Sequence, residues 1–305
     1  MRYQTDLSMF GIDSHWRRET AATRRLLLIY AHPDDESFGN AGTIARYASE
    51  GADVHYATAT RGECGDVAPA LLADYADIGA LRTAELSRAA TTLDLASFHF
   101  LGYRDSGMPG SPNNAHPQST VSAAVDDVAA KIAALIRVLQ PQVVVTFSAY
   151  GGYGHPDHIA VHWAALAAFH AAGDATVFGQ HLDAGLFPWQ PRKLYYSTFS
   201  TRLLKLALAG MRMLGKDPTK FGENGDVDFT RIVAEATPVT TRVNCGAFLA
   251  QKDQAWQAHQ SQLGSMGFMV QIPRPLRRPF TRAEEFTRIV PAPNGQLETD
   301  LFAGI

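Results

Sequence analysis

The chain has 305 residues, 46% of them apolar and 19% charged, and a formal net charge of −3. That length buries a full core, as one large domain or one domain with an appended lobe, and the charge balance gives no electrostatic case for nucleic acid or an anionic membrane. The first 25 residues, with Asp6, Asp13, Arg17, Arg18 and Glu19, do not read as a signal peptide. No apolar run is long enough to span a bilayer, since 203–214 is broken by Lys205 and Arg212.

In chain order, residues 25–30 (RLLLIY) read as a buried strand. Residues 38–50 have helical periodicity at Ile44, Tyr47 and Ala48 and stop at Gly51, which suits the left-handed position after a helix. A second strand is predicted at 54–60. A helix at 78–93 follows, apolar at Leu81, Ala84, Leu86 and Ala89 and charged at Arg82, Glu85 and Arg88. A short third strand falls at 97–101, a long amphipathic helix at 121–139 ahead of Pro141, and a fourth strand at 142–147. The helix at 155–172 opens with Pro156, whose missing N–H has no intrahelical partner to lose there. After about residue 188 the pattern loosens. A strand is predicted at 194–199, a helix at 201–214, a strand at 239–244 and a helix at 246–263, and the Pro/Arg-rich stretch 272–280 reads as an extended surface segment.

Strand–helix alternation with continuously apolar strands specifies an α/β fold, a Rossmann-like three-layer sandwich around a mostly parallel sheet. Residues 1–24 read as an N-terminal extension. Residues 25–305 read as a single domain, with a core at 25–187 and C-terminal additions at 188–305 that wall the active site. In the common doubly wound order the first and fourth strands are neighbours at the switch point, where ligands bind beyond the strand ends.

Two acid- and imidazole-rich clusters follow those two strands. His32-Pro33-Asp34-Asp35-Glu36 follows the first and His155-Pro156-Asp157-His158 the fourth. Three adjacent carboxylates repel one another unless a cation sits among them. Hydrolytic zinc takes three protein ligands and leaves a fourth position open. His32, Asp35 and His158 supply two imidazoles and one carboxylate, which leaves Asp34 as a surplus acid placed for general-base work. His155 reads as an imidazole near the metal or on the oxyanion side, with Asp157 orienting it and keeping it protonated. Glu36 reads equally as a first-turn helix acid or as a support for the ligands. His162, one turn after His158, reads as a packed core histidine. Cys64 and Cys245 read as free thiols of a reducing compartment, and a cytoplasmic address is expected.

The segments AHPDDESFGNAGTIARYASEG, TRGECGD, LRTAEL, YRDSGM and GGYGHPDH resemble, in order and spacing, the LmbE-like or PIG-L zinc deacetylases. A weaker echo lies in KDQAWQAHQSQ. The resemblance implies removal of an acetyl group from an N-acetylglucosamine-containing small molecule or glycoconjugate. It implies one zinc ion per chain, with ferrous iron as the alternative, held by His32, Asp35 and His158, and Asp34 as general acid/base. It also implies His155 and Tyr153 as oxyanion donors and Arg82 and Asp105 as contacts to sugar hydroxyls, with His259 a weaker candidate that packs the C-terminal helix. No nucleic-acid partner and no membrane span are implied, and a homo-oligomer stays open.

Three other readings compete. Magnesium phosphoryl transfer is disfavoured by the two histidines. A non-catalytic sugar-binding protein is disfavoured by the presence of Asp34. An amidase of the mycothiol-conjugate kind would share the metal chemistry and cleave a larger acyl group.

Overall fold

The structure, a computed structural model, describes residues 6–19, 22–220, 225, 227–264 and 274–305. Its strands are β1 (Asp13–Trp16), β2 (Arg25–Tyr30), β3 (Asp53–Thr58), β4 (Ser97–Phe100), β5 (Val143–Thr146), β6 (Lys193–Thr198), β7 (Thr241–Asn244) and β8 (Ala283–Val290). They form one sheet in the order β1-β4-β3-β2-β5-β6-β8-β7. The centre is parallel, with β2 between β3 and β5. The outer pairings β1–β4, β6–β8 and β7–β8 are antiparallel. The order reverses at β2/β5, as the doubly wound reading requires.

The strands are apolar because both faces are covered. Leu26, Leu27, Leu28, Ile29, Val143, Val144 and Val145 are all fully buried. On one side α3 (Val125–Leu139) packs against α5 (Pro156–Ala171); elsewhere α9 (Leu249–Ala258) packs against both α1 (Asp35–Ser49) and α2 (Ile78–Thr92). Between α5 and α9 the chain forms α6 (Gln180–Asp183), α7 (Thr201–Met213) and α8 (Phe229–Ala234). Pro156 holds the first position of α5, and Gly51 takes the left-handed conformation (φ +80°) just after α1.

Several elements depart from the sequence reading. β1, within the expected extension, adds an edge strand along β4, and β8 is a full strand among the C-terminal charges. The long helix expected from 121 begins at Val125, after a 3-10 turn at Thr120–Ser122. The helix expected at 246–263 is a 3-10 turn (Gly246–Phe248), then α9, then a second 3-10 turn (Gln260–Gln262) after a break at His259.

The extended segment expected at 272–280 is corrected over its described part. Arg274–Thr281 is helix α10, and 272 and 273 lie outside the described residues. Pro275 falls in its first turn, where a backbone N–H has no partner in any case. Arg277 is buried and paired with Asp253 of α9, which ties this helix down.

Candidate metal centre

Beyond the ends of β2 and β5 the two clusters meet. The backbone N–H groups of Ala31 and His32 donate to Asp35 Oδ2 at 3.1 and 2.8 Å, folding the loop after β2 back on itself. His32 Nδ1 then lies 3.2 Å from His158 Nε2, Asp35 Oδ1 lies 3.5 Å from His158 Nε2, and Asp35 Oδ2 lies 3.8 Å from His32 Nδ1. All three side chains are largely shielded from water.

The tautomers follow from the other ring nitrogens. His158 Nδ1 donates to the Gly151 carbonyl at 2.9 Å, so its Nε2 is a bare lone pair. Gly151 (φ +66°) has to be glycine, because a Cβ there would stand 2.6 Å from His158 Cβ. His32 Nε2 faces Asp157 Oδ2 at 3.3 Å and Asp105 Oδ1 at 3.5 Å, so its proton belongs on that side. When both outward nitrogens carry protons, two bare nitrogens confront each other at 3.2 Å beside a carboxylate. A cation between them resolves the conflict. Tetrahedral zinc with bonds of about 2.0–2.1 Å sets its ligand atoms about 3.3 Å apart, and this donor set fits that spacing. Burial opposes a charge on His32, yet Asp105 and Asp157 hold its pKa well above the ordinary value.

His155 also borders the site. Ligand atoms of His32, His155 and His158 lie within 4.8 Å of one another, as do those of His32, Asp105, His155 and Asp157. The second set is largely committed elsewhere. Asp105 accepts from the Gly107 and Cys64 N–H groups at 2.8 and 3.2 Å, and Asp157 accepts from the Ser106 N–H at 2.9 Å.

Asp34 stands next to the three converging groups in a rare backbone conformation for a non-glycine residue (φ +125°). Its carboxylate takes a 2.9 Å ion pair from Arg82. Burial pushes its pKa up to about 7, opposed by Arg82 and helped by the nearby Asp35.

The remaining sequence expectations are placed as follows. His155 caps α5, its Nδ1 accepting from the Asp157 N–H at 3.1 Å, so Nε2 is a neutral donor. Burial and the charges of His32 and His158 hold its pKa well below the ordinary value. Asp157 therefore does not keep His155 protonated; its carboxylate is turned toward His32. Tyr153 lies on the short helix α4 (Gly151–Gly154), 37% exposed, its ring edge-on to His158 at a centroid distance of 4.9 Å.

Arg82 and Asp105 are both buried and bonded within the protein. Arg82 donates to the carbonyls of Gly62 (3.0 Å) and Pro33 (2.6 Å) besides Asp34, and is 3% exposed. Asp105 is equally buried, against His32 and two backbone N–H groups. Arg82 thereby braces Asp34, and Asp105 braces His32, while Arg82 Nε is buried without a partner. His162 is a packed histidine, its Nδ1 on the Phe147 carbonyl at 3.0 Å. Glu36 and His259 form a pair at 2.7 Å with neither exposed, a contact that sequence reasoning had no means of joining across 223 residues.

A sequence profile for PIG-L, GlcNAc-PI de-N-acetylase, matches residues 27–169. A 1D-myo-inositol 2-acetamido-2-deoxy-alpha-D-glucopyranoside deacetylase of Thermobifida fusca is 40% identical, over 92% of this chain and 99% of its own. Among solved structures, a conserved protein of Thermus thermophilus superposes with a TM-score of 0.55 at 25% identity, covering 88% of this chain and 94% of that one. A 4-carboxy-2-hydroxymuconate hydratase of Pseudomonas putida gives 0.56 at 17% identity, with 88% and 97% covered. That likeness shows the fold alone. With a relative this similar along nearly its whole length and the motif residues gathered at one switch point, the chain belongs to the PIG-L family of amide-hydrolysing deacetylases.

Proposed function

We propose that this chain is a zinc-dependent deacetylase of an N-acetylglucosaminyl small molecule, an inositol glucosaminide of the kind named for its relatives. The observation that carries the reading is the convergence of His32 Nδ1, His158 Nε2 and the Asp35 carboxylate beside a buried, surplus Asp34. His32, Asp35 and His158 would hold the metal. Once bound there, zinc supplies a polarised acyl carbonyl and a water of lowered pKa.

The chain's own groups do the rest. Asp34, with a pKa near neutrality in the metal-free protein, takes the proton of the attacking water and returns it to the departing amine. His155 Nε2–H and the Tyr153 hydroxyl donate to the oxygen on which negative charge develops. The Tyr153 hydroxyl keeps its proton at neutral pH, where an ordinary tyrosine is a donor, and burial and the nearby carboxylates of Asp35, Asp34 and Asp105 push its pKa further up. Arg82 holds the Asp34 carboxylate in place, while Asp105 and Asp157 fix the His32 ring. Free thiols at Cys64 and Cys245 suit a cytoplasmic setting. Among the described residues no helix is long and apolar enough to cross a membrane.

The test is to supply zinc-loaded protein with N-acetylglucosaminyl-inositol and follow acetate and free amine together. Equimolar release supports the proposal. Absence of release from this and other N-acetylglucosaminides, with metal bound, overturns it, and preferential release of a larger acid points to an amidase.

A further inference from the structure

Resting on the reading of Asp34 as the proton acceptor, we infer that His259, acting through Glu36, is a positioning residue for Asp34. The chain of contacts is continuous. His259 Nε2 lies 2.7 Å from Glu36 Oε1, and Glu36 Oε2 accepts from the backbone N–H of Asp34 at 3.0 Å. Ser37 Oγ donates to Glu36 Oε1 at 2.6 Å, so the carboxylate is held at both oxygens. Neither Glu36 nor His259 is exposed at all.

What Glu36 grips is the strained point of the site. Asp34 takes φ +125° without using its side chain to cap α1, a conformation that persists in a non-glycine residue only when its surroundings over-determine it. Two holds do so. Arg82 from α2 takes the Asp34 side chain and the Pro33 carbonyl, and Glu36 takes the Asp34 N–H. The segment carrying His259 reaches both helices. Trp256 Nε1 donates to the Ser37 carbonyl at 2.8 Å, and Ser261 donates through N and Oγ to the two oxygens of Glu85 on α2 at 2.8 and 2.6 Å. The break between α9 and the following 3-10 turn falls at His259 itself and turns its ring onto Glu36.

A docking contact alone does not call for a buried acid and imidazole, since well-packed apolar groups do as well at such a place. A hydrogen-bonded pair aimed at the backbone of Asp34 fixes a direction, which apolar packing does not. The distant C-terminal segment thereby sets the aim of the base.

The experiment compares the full-length His259→Phe and His259→Gln proteins with the parent and with Asp34→Asn. His259→Phe keeps the volume and removes the donor, and His259→Gln restores a donor. The expected result for His259→Phe is native circular dichroism, full metal content, KM within about twofold and kcat lower by roughly ten- to a hundredfold, with part recovered in His259→Gln. In the Asp34→Asn background, His259→Phe costs nothing further, because the residue it acts through is already disabled. Unchanged kcat, or an equal loss in both backgrounds, overturns the inference. In the metal-free proteins, deuterium uptake of peptide 31–38 rises in His259→Phe while the sheet stays protected. Unchanged uptake there overturns the inference even if no substrate is found, so its failure is separable from failure of the proposed activity.

Discussion

The region from β2 to α5 and the region from β6 to the C-terminus share one sheet but are held together differently. The first is centred on β2 and β5, whose Leu26, Leu27, Leu28, Val143, Val144 and Val145 are fully buried, and the candidate site lies beyond their ends. The second buries charges in pairs. Lys252 with Glu284, Arg288 and Lys193 with Glu298, Arg277 with Asp253, and His259 with Glu36 all tie C-terminal elements to one another or to α1. On the proposed reading the reacting groups come from the first region, where Arg82 braces Asp34, and the second adds support from a distance through His259. The lesson is that a catalytic side chain and its support need not be near in sequence or alike in chemistry.

The largest effect that sharpens this division is His158→Ala. It removes a nitrogen of the proposed ligand set, so metal content is expected to fall to background with turnover, while the circular dichroism stays native. Next is Asp34→Asn. Metal content is expected to stay full and kcat to drop by about 10²–10⁴; loss of metal along with activity would make Asp34 a ligand.

The comparison would break in the C-terminal region if Lys252→Met were harmless. Glu284, which also accepts from the Gly42 and Thr43 N–H groups at 3.0 and 2.8 Å, is left as a buried charge without its cation. Removing one partner of such a pair costs about 3–5 kcal/mol. Ile44→Val in the apolar core should cost about 0.5–1.5 kcal/mol, and urea titration of both variants measures the two costs.

Asp157→Asn is expected to weaken metal binding by about 10–100-fold. Its loss in kcat/KM, and that of Asp105→Asn, should be equal on a sugar substrate and on a small acetamide without hydroxyls. A loss confined to the sugar would place either group in the substrate pocket.

A pH dependence tests the polar chain Ser14–His99–Ser97–His55, which runs across β1, β4 and β3 and is linked at 2.7–2.9 Å. Burial, and then the neighbouring His15, push His99 down to about 3. Above about pH 6.5, the unfolded value, neither state takes a proton. Below it the unfolded chain does and the folded one does not, so stability falls by up to about 1.4 kcal/mol per pH unit toward pH 3. The fall in urea midpoint between pH 7.5 and 5.0 should shrink when His99 is replaced by Gln.

The contrast also explains what was legible. The order β3-β2-β5 and the meeting of His32 with His158 followed from apolar runs and helix boundaries, because in that region the pattern and the packing obey one rule. β8 was hidden because Glu284 and Arg288 look like surface residues until Lys252 and Glu298 are brought to them. β1 is four residues at an edge, with Asp13 and His15 partly in solvent, and lacks a distinctive pattern. Arg82 and Asp105 do lie beside Asp34 and His32, but their bonds to the Gly62 and Pro33 carbonyls and to the Cys64 and Gly107 N–H groups are tertiary contacts that a sequence does not spell out. The Glu36–His259 pair is a purely tertiary contact.

The central claim is that one metal ion binds through His32 Nδ1, His158 Nε2 and the Asp35 carboxylate, with Asp34 free beside it. The most direct measurement is a crystal structure of the zinc-loaded protein with data collected on both sides of the zinc absorption edge. The account predicts a single anomalous peak about 2.0–2.2 Å from those three groups, with Asp34 still on Arg82. A peak bonded instead to His155, Asp105 or Asp157, or to Asp34, would contradict it.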